Sequence, residues 1–380
     1  MIEFIIRRSF YSLLIVFGVL LLTFLLFNVG AGDPAAAVLG KNAVPAEIEA
    51  LRRRLGSDLP LFYGHYCRTE SFAEIPAGSG NFKRQFGNDD VYAAAASGMV
   101  KVDGDIYKGS PGTLFYRYQK NGFNSQFFRS LGEIAAFQKN FPFISFFNFG
   151  ESMVTREPVK DILKRGMKVS LLLMIPVFLG EMLFGIAFAL VATAFRNRWP
   201  DRVLLLFSVA GMSVSYVVII IMAQWFLGYH AGLFPIWGFE SAANLLLPVT
   251  VGIISGIGAN VRFYRTVFVD ELGKEYLRTA AAKGVSPLRL YGVHLLRNGA
   301  LQIITRAGSS LPFIFTGSLL LESFFGIPGL GFAGIEALYN SDIALLKALV
   351  VLSALLFVFI NLICDLVYAW ADPRVRVTAQ

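Results

Sequence analysis

The chain has 380 residues, of which 55% are hydrophobic and only 16% are charged. This composition excludes an ordinary soluble domain and places the chain in a lipid bilayer. The formal net charge of +8 would suit nucleic-acid binding, but no basic stripe interleaved with aromatic residues occurs outside the segments that we expect to face the cytoplasm. The surplus is better explained by orientation in the membrane.

The first predicted element is a membrane-spanning helix. Between Arg8 and Asp33 lie 24 residues without Asp, Glu, Lys or Arg, enough to cross about 30 Å of hydrocarbon. A cleaved signal peptide is the alternative, but its apolar core is only about 7–15 residues long. We therefore predict that residues 1–32 form an N-terminal transmembrane helix.

Residues 33–167 are polar and are predicted to form an extracytoplasmic region. An inserted lobe at about residues 67–142 carries many aromatic side chains, which disordered segments rarely do. The lobe is therefore predicted to fold. Either it is a decorative insertion or it docks a partner.

Two patterns indicate that this lobe is mixed α/β. Val100 and Val102 alternate with polar residues before Asp103-Gly104, which predicts a β-hairpin. Apolar residues at helical spacing predict a helix within residues 125–139.

After residue 167 the apolar pattern resumes and predicts a core of five more spans within residues 168–380, at about 169–195, 203–227, 243–261, 300–321 and 345–368. Arg306 lies inside the fifth span, where an arginine costs at least about 2–3 kcal/mol unless it faces a partner or water. Glu181 in the second span raises the same question. Either Arg306 marks the pathway or the fifth helix begins later.

Charge in the short loops sets the orientation, because cytoplasmic loops are enriched in Lys and Arg. With six spans, Arg196, Arg198 and Arg202 fall on the same side as the N-terminus. The opposing loops near 229–242 and 322–344 contain acidic residues but neither Lys nor Arg. Both termini are therefore predicted to be cytoplasmic.

A charged, amphipathic stretch, residues 275–298 (EYLRTAAAKGVSPLRLYGVHLLRN), lies between the fourth and fifth spans. It is part of a longer polar segment, residues 270–298. Its three consecutive alanines favour a slim helix that approaches another backbone closely. Gly284 supplies a left-handed end to that helix, and Ser286-Pro287 is typical of the start of a second one. A basic loop on the membrane surface is the alternative for each residue taken alone.

As a whole, residues 275–298, which we call the coupling segment, resemble the cytoplasmic coupling motif of binding-protein-dependent ABC importers, in the version of the dipeptide, oligopeptide and nickel permease family. The matching positions are Glu275, Tyr276, Arg278, Thr279, Ala280, Ala282, Lys283, Gly284, Ser286, His294, Arg297 and Asn298. One departure concerns a glutamate that other importer classes place six residues before the glycine. Arg278 stands there, and Glu275 is the candidate substitute.

The same family resemblance covers residues 1–66 and 143–380, that is, all but the insertion. It includes GDPA at 32–35, GSDLPL at 56–61, residues 149–163, LESFFGIPGLG at 321–331 and the C-terminal Asp372-Pro373-Arg374. Within 321–331, Gly326, Pro328, Gly329 and Gly331 forbid a continued helix and indicate an extracytoplasmic turn or gate. Such backbone is tolerated at membrane depth only where it lines a cavity or is covered by protein.

Polar residues within the spans are candidates for lining the translocation pathway, although each is more often a packing residue. They are Gln224, Asn260, Arg306, Ser309 and Ser310.

The sequence offers no energy source of its own. It lacks a G-x-x-x-x-G-K-[S/T] phosphate loop and a chain of intramembrane carboxylates for proton coupling. No catalytic residue, metal site or cofactor is predicted in this chain, which we therefore do not expect to be an enzyme. The resemblance implies that ATP and Mg²⁺ are bound by separate ATPase subunits.

The resemblance thus implies an all-α polytopic membrane protein with the six-helix fold of type I ABC importer permeases, located in a bacterial inner membrane. The implied partners are a second permease subunit, two ABC ATPase subunits and an extracytoplasmic solute-binding protein. The implied substrate is a peptide. Nickel chelates or other small solutes are the alternatives within the family, and a channel or scaffold with a cytoplasmic partner-binding loop is the alternative outside it.

Overall fold

A computed structural model describes residues 2–30 and 154–371 and, between them, residues 44, 47–48, 51–52, 56–57, 59, 61–63, 67–68, 75–76, 99–102, 105–109, 114–119, 125–137, 144–146 and 148–152. The GDPA motif, Asp58 and Pro60 of GSDLPL, and the C-terminal Asp372-Pro373-Arg374 lie outside the described residues. The chain forms two compact units: one comprises Met1–Val19 and Glu151–Gln380, the other Leu20–Gly150.

The unit Leu20–Gly150 contains a small antiparallel sheet. Its strands are β1 (Cys67–Arg68), β2 (Ile75–Pro76), β3 (Met99–Val102), β4 (Asp105–Gly109) and β5 (Leu114–Gln119). The order is β1-β5-β4-β3, and β2 also pairs with β5. Val100 faces Tyr107 and Val102 faces Asp105 across the β3–β4 pair, so the predicted hairpin is confirmed.

A short helix, α2 (Gln126–Ile134), follows the sheet. The helix predicted within residues 125–139 is confirmed, but it ends at Ile134, because Ala135–Phe137 (β6) pairs antiparallel with Ile144–Phe146 (β7). The Gln126 side chain donates hydrogen bonds to the carbonyl oxygens of Ser57 at 2.9 Å and Leu59 at 2.7 Å. These bonds fix α2 to the segment that precedes the sheet.

The remaining helices are α1 (Ile2–Leu25), α3 (Val159–Ala194), α4 (Trp199–Ser213), α5 (Tyr216–Ala223), α6 (Ala243–Leu272), α7 (Glu275–Ala282), α8 (Pro287–Arg289), α9 (Leu296–Thr316), α10 (Leu319–Phe325), α11 (Leu330–Tyr339) and α12 (Ile343–Ala371). Wider π-helical turns extend α1 over Leu26–Gly30, extend α5 over Gln224–His230 and join α8 to α9 over Leu290–Leu295.

Four stretches within the described residues are long and apolar enough to cross a bilayer: Ile6–Gly30, Val159–Ala194, Ala243–Leu272 and Ile343–Val367. Two bent helix pairs raise the number to six if each pair is one span. Each predicted span falls on one of these helices or bent pairs, but two spans are broken and several boundaries differ, such as the start of the second at Val159 and not at residue 169.

The third span is not one straight helix over 203–227. Val214 and Ser215 have extended backbones, with ψ angles of 134° and 135°, and the two parts bend by 98°. The fourth helix does not end near residue 261 but continues to Leu272. The fifth breaks at Gly317, whose φ of +74° is left-handed, and resumes as α10 after a 43° bend.

Close contact between α3 and α6 lies at the core of the unit that comprises Met1–Val19 and Glu151–Gln380. A Cβ atom at Gly252 would lie 2.8 Å from the Val177 side chain, and one at Gly185 would lie 2.8 Å from Asn260 Cβ. Helices in a bilayer associate by such close approach, because lipid gives them no hydrophobic drive to pair. Beside this contact, a bidentate ion pair with N–O distances of 2.6 and 2.7 Å joins Arg265 of α6 to the buried Asp201 of α4.

The contact between α4 and α6 makes a stability prediction. A Cβ atom at Gly258 would lie 2.7 Å from the backbone oxygen of Ser208, whereas one at Gly211 has nothing within 4 Å. Gly258→Ala is expected to destabilise the protein by about 1–3 kcal/mol. Gly211→Ala should be neutral or stabilising, since Ala exceeds Gly in helix propensity by about 1 kcal/mol. Thermal unfolding in detergent measures both, and an equal effect of the two substitutions contradicts the packing.

Candidate functional site

The coupling segment begins with a short helix, α7, whose end is closed by hydrogen bonds typical of a glycine cap. The Gly284 N–H donates to the Ala281 oxygen at 3.0 Å, and the Val285 N–H donates to the Ala280 oxygen at 3.3 Å. This pair of bonds is the Schellman motif, which needs a left-handed residue after the helix. Gly284 has φ +78°, so its predicted role is confirmed.

One face of α7 and the turn after it are open to solvent. The exposed side of the coupling segment comprises Glu275, Arg278, Thr279, Ala281, Ala282, Lys283, Gly284, Ser286, Pro287, Leu288 and Arg289. Leu288 is 89% exposed, the highest exposed fraction among the large apolar side chains of the described residues. We call Ala281, Ala282 and Leu288 the apolar tip.

The opposite face of α7 is anchored by Leu277, which is only 3% exposed. Leu277 belongs to a buried cluster with Ala189 of α3, Phe268 of α6 and Ile303 of α9. Three long helices therefore meet beneath α7. The buried cluster therefore fixes the position of α7 against all three helices, because packed interiors leave little room to deform.

A buried carboxylate, Glu271 at the end of α6, fixes the corner between α6 and α7. It accepts a hydrogen bond from the Tyr276 hydroxyl at 2.8 Å and forms an ion pair with Lys274. Burial and the adjacent Glu271 raise the pKa of the Tyr276 phenol, so its hydroxyl remains a donor at physiological pH. The corner is thereby held by two polar contacts in addition to Leu277.

The rest of the coupling segment continues directly into the fifth span. Ser286 occupies the predicted N-cap position with Pro287 at the first helical position, so the predicted helix start is confirmed. The Ser286 side chain makes no capping hydrogen bond. His294 lies in the π-helical turn, and its backbone oxygen accepts from the Asn298 side chain at 2.7 Å. Arg297 is exposed.

A second group of predicted residues lies beyond the other end of α9, in the turn between α10 and α11. Gly326 has φ +65° and ends α10, so the helix stops where the glycines predicted. A Cβ atom at Gly331 would lie 2.7 Å from Leu319 Cα, which only glycine avoids. Gly329 is the N-cap of α11, and Pro328 is exposed. We call residues 326–331 the glycine turn.

The glycine turn is tied to α3 through Glu322, which is fully buried. Its carboxylate accepts hydrogen bonds from the Ser170 hydroxyl at 2.7 Å and from the backbone N–H of Gly331 at 2.6 Å. Ser170 in turn accepts from the Leu330 N–H at 2.8 Å. A buried carboxylate without a cation is stable only when donors surround it in this way.

The candidate pathway residues have diverse surroundings. Gln224 donates to the Phe324 oxygen at 2.7 Å and therefore joins the third span to α10. Asn260 donates to Glu181 at 3.4 Å. Ser309 and Ser310 both donate to the Arg306 carbonyl of their own helix. The Arg306 guanidinium lies 5.6 Å from the centre of the Phe263 ring.

Sequence reasoning missed Leu277, Glu271 and the Glu322–Ser170 contact. The apolar spacing of Leu277 and the isolated carboxylates at the ends of apolar runs were the available signals, but their partners are distant in sequence. Among the described residues, no group of three or more His, Cys, Asp and Glu side chains has an arrangement that could hold a metal ion.

Comparison with known proteins identifies the family. Residues 182–377 match the family described as "Binding-protein-dependent transport system inner membrane component". The chain belongs to this family. Residues 1–75 match the corresponding N-terminal family. The predicted membership in the ABC importer permeases of the dipeptide and oligopeptide type is thereby confirmed.

Two relatives illustrate the extent of the similarity. A glutathione transport system permease protein of Escherichia coli (strain K12) is 28% identical over 379 residues, covering 99% of both chains. One of Salmonella typhi is 35% identical over 231 residues, which are 60% of this chain and 75% of that protein. The two family matches leave residues 76–181 uncovered, a range that contains most of the predicted insertion.

The polar corner at Glu271 can be tested without touching the exposed surface. Tyr276→Phe leaves one oxygen of a buried carboxylate without its donor, which costs about 1–3 kcal/mol. We expect amide hydrogen exchange in α7 to accelerate at least about fivefold. Glu275→Gln, an exposed change one residue earlier, is the control and should leave exchange unchanged. Equal exchange in Tyr276→Phe and the unmodified protein contradicts the role of the corner.

Proposed function

We propose that this chain is a permease subunit of an ATP-driven importer, forms the translocation path for peptides and receives work from separate ATPase subunits through the coupling segment. The observation that carries the proposal is the construction of α7. Its inner face packs into a cluster shared by three membrane helices, while its outer face and the following α8 present the apolar tip to solvent. An element that connects a partner to the core needs both properties.

In this mechanism, the apolar tip sits in a cleft of the ATPase subunit. Closure of the ATPase pair on ATP displaces α7 as a rigid body, because Leu277 and Glu271 prevent it from sliding over the core. The displacement passes to α3, α6 and α9 and turns the central cavity outward. The Schellman turn at Gly284 lets α8 follow at an angle without melting α7.

The proposed complex contains a second permease subunit, two ABC ATPase subunits that bind ATP and Mg²⁺, and an extracytoplasmic solute-binding protein. The family description, which specifies dependence on a binding protein, supports the last partner. Lys and Arg in the short loops on the coupling side, and their absence from the opposing loops, support a cytoplasmic coupling segment and cytoplasmic termini. The sequence contains no G-x-x-x-x-G-K-[S/T] phosphate loop, which supports the assignment of ATP binding to the partner subunits.

For the substrate, we propose a small peptide. The similarity to permeases named for glutathione transport supports a peptide-like cargo. Polar side chains along the fifth span suit an amide-rich solute better than an apolar one. Uptake of radiolabelled peptides by proteoliposomes that contain the complete transporter tests this assignment.

The apolar tip yields a direct test of the ATPase contact. Leu288→Asp places a charge on a surface that must lose its water on binding, so association should weaken by about 2 kcal/mol or more. We expect the purified ATPase subunit to be lost from pull-downs, while the chain still inserts and assembles.

The matched control for this test is Leu338→Asp. Leu338 is 66% exposed on α11, which lies beyond the opposite end of α9 from the coupling segment, so ATPase capture should persist. Unchanged capture by Leu288→Asp excludes the apolar tip from the contact. Equal loss in both variants points to misfolding instead.

A further inference from the structure

A cavity of about 600 Å³ lies between the start of α3 and the glycine turn. Its walls come from the turn before α3, from α3 itself, from the glycine turn and α11, and from the first turn of α12. The apolar part of the lining includes Ile162, Val169, Phe332 and Leu345. The volume falls within the range of about 300–1,000 Å³ that is usual for small-molecule sites.

The walls of this cavity are held in place by close packing and buried hydrogen bonds. Asp342, at the corner between α11 and α12, is buried and accepts hydrogen bonds from the Ser152 hydroxyl and from the Leu345 N–H. These bonds fix the turn before α3 against α12. On the other side, a Cβ atom at Gly166 would lie 3.2 Å from the backbone nitrogen of Leu330, so α3 packs directly on the glycine turn.

Four charged side chains line the cavity, two of each sign: Glu157, Arg165, Lys168 and Glu336. Arg165 forms an ion pair with Glu157. Lys168 and Glu336 are exposed, and neither forms an ion pair or a side-chain hydrogen bond within the part of the chain that the structure describes. The cavity therefore offers one unpaired cation and one unpaired anion beside an apolar lining.

The cavity lies at the depth where the polar headgroups of a bilayer begin. After Lys168, residues 169–194 of α3 contain only one charged residue, Glu181. At 1.5 Å per residue this run rises about 39 Å, which is more than the roughly 30 Å of hydrocarbon in a bilayer. Lys168 and the cavity are thus placed at the membrane surface opposite the coupling segment.

The face of α3 that carries Lys168 continues into the membrane as an open apolar surface. Leu172, Ile175 and Leu179 follow Lys168 at spacings of four, three and four residues, which place them on the same side of the helix. All three are exposed. An acyl chain that enters the bilayer beside Lys168 therefore finds apolar contacts along α3.

We infer that the cavity binds one phospholipid with a phosphoethanolamine headgroup. Lys168 pairs with the phosphate, Glu336 pairs with the ammonium group, and the acyl chains follow the open face of α3. The headgroup carries one negative and one positive charge, which matches the two unpaired side chains and permits a charge-assisted hydrogen bond at each. A phosphoglycerol headgroup has no cation and leaves Glu336 facing a phosphate.

Native mass spectrometry of the purified complete transporter tests this binding. Lipid that co-purifies is first removed by detergent exchange, and then dioleoylphosphatidylethanolamine or dioleoylphosphatidylglycerol is added at equal concentration. We expect one ethanolamine lipid to remain bound for each copy of this chain. The glycerol lipid should be retained about tenfold less, because it lacks one of the two charge-assisted contacts.

Charge changes in the cavity distinguish a specific site from the lipid that surrounds any membrane protein. Glu336→Lys should reverse the preference, so that the glycerol lipid is retained about tenfold more. A misfolded variant loses both lipids and does not exchange one for the other. Lys168→Gln removes the phosphate contact and should weaken retention of both lipids about tenfold.

The matched controls for these variants are Glu240→Lys and Lys160→Gln. Both residues are exposed, and neither lines the cavity. Each control repeats the charge change of its partner variant outside the site, so both should keep the preference of the unmodified transporter.

Several results overturn the inference. They are equal retention of the two lipids by the unmodified transporter, retention of neither, and an unchanged preference in Glu336→Lys. Displacement of the lipid by trialanine, a zwitterion without an acyl chain, shows instead that the cavity receives the solute, and the lipid assignment is then wrong. None of these results contradicts the proposed function, because the coupling segment lies at the other end of α3.

Discussion

The structure depends on the burial of one short helix against three long ones. Leu277 fills a cluster shared by α3, α6 and α9, and Glu271 closes the corner from which α7 leaves α6. Without these contacts, an eight-residue helix in water would be unstable, because isolated helices of that length do not persist. The same contacts specify the position of α7 relative to the core, which the proposed coupling role requires.

The two ends of the fifth span are built on different principles. At the coupling end, an apolar anchor and a buried carboxylate hold an exposed helix. Beyond the other end, the Glu322 carboxylate accepts hydrogen bonds from the Ser170 hydroxyl of α3 and from the backbone N–H groups of Gly331 and Phe332. It thereby joins the glycine turn to α3. Both carboxylates are buried, but only Glu271 has a cation partner among the described residues. Among the described residues, the glycine turn is therefore tied to α3 by hydrogen bonds and not by an ion pair.

Much of this architecture follows from sequence. Long apolar runs predict spans because hydrocarbon requires about 20 such residues, and Gly284 and Gly326 predict helix ends because few other residues adopt positive φ. The β3–β4 hairpin was readable from alternation around Asp103-Gly104. These signals are local, and each is contained within a few neighbouring residues.

The missing parts are those that depend on distant partners. The 98° break at Val214 and Ser215 could not be predicted, because neither residue is a glycine or a proline. The burial of Leu277 could not be predicted, because the residues of α3 and α9 in its cluster are distant in the sequence. The hydrogen bond between Ser170 and Glu322 likewise joins residues that are 152 positions apart. Similarly, polar residues within the spans cannot be sorted into packing and pathway groups until the exposed face of α9 is known.

The most direct test of this account is the ratio of ATP hydrolysed to solute imported by the reconstituted transporter carrying Leu277→Ala. This change removes buried side-chain volume beneath α7 but leaves the apolar tip intact. Leu277→Met is the control, because methionine has nearly the volume of leucine and keeps the cluster filled. The account predicts that the alanine variant still binds and stimulates the ATPase but wastes ATP, with the ratio rising several-fold. An unchanged ratio, with uptake and hydrolysis falling together or not at all, would contradict it.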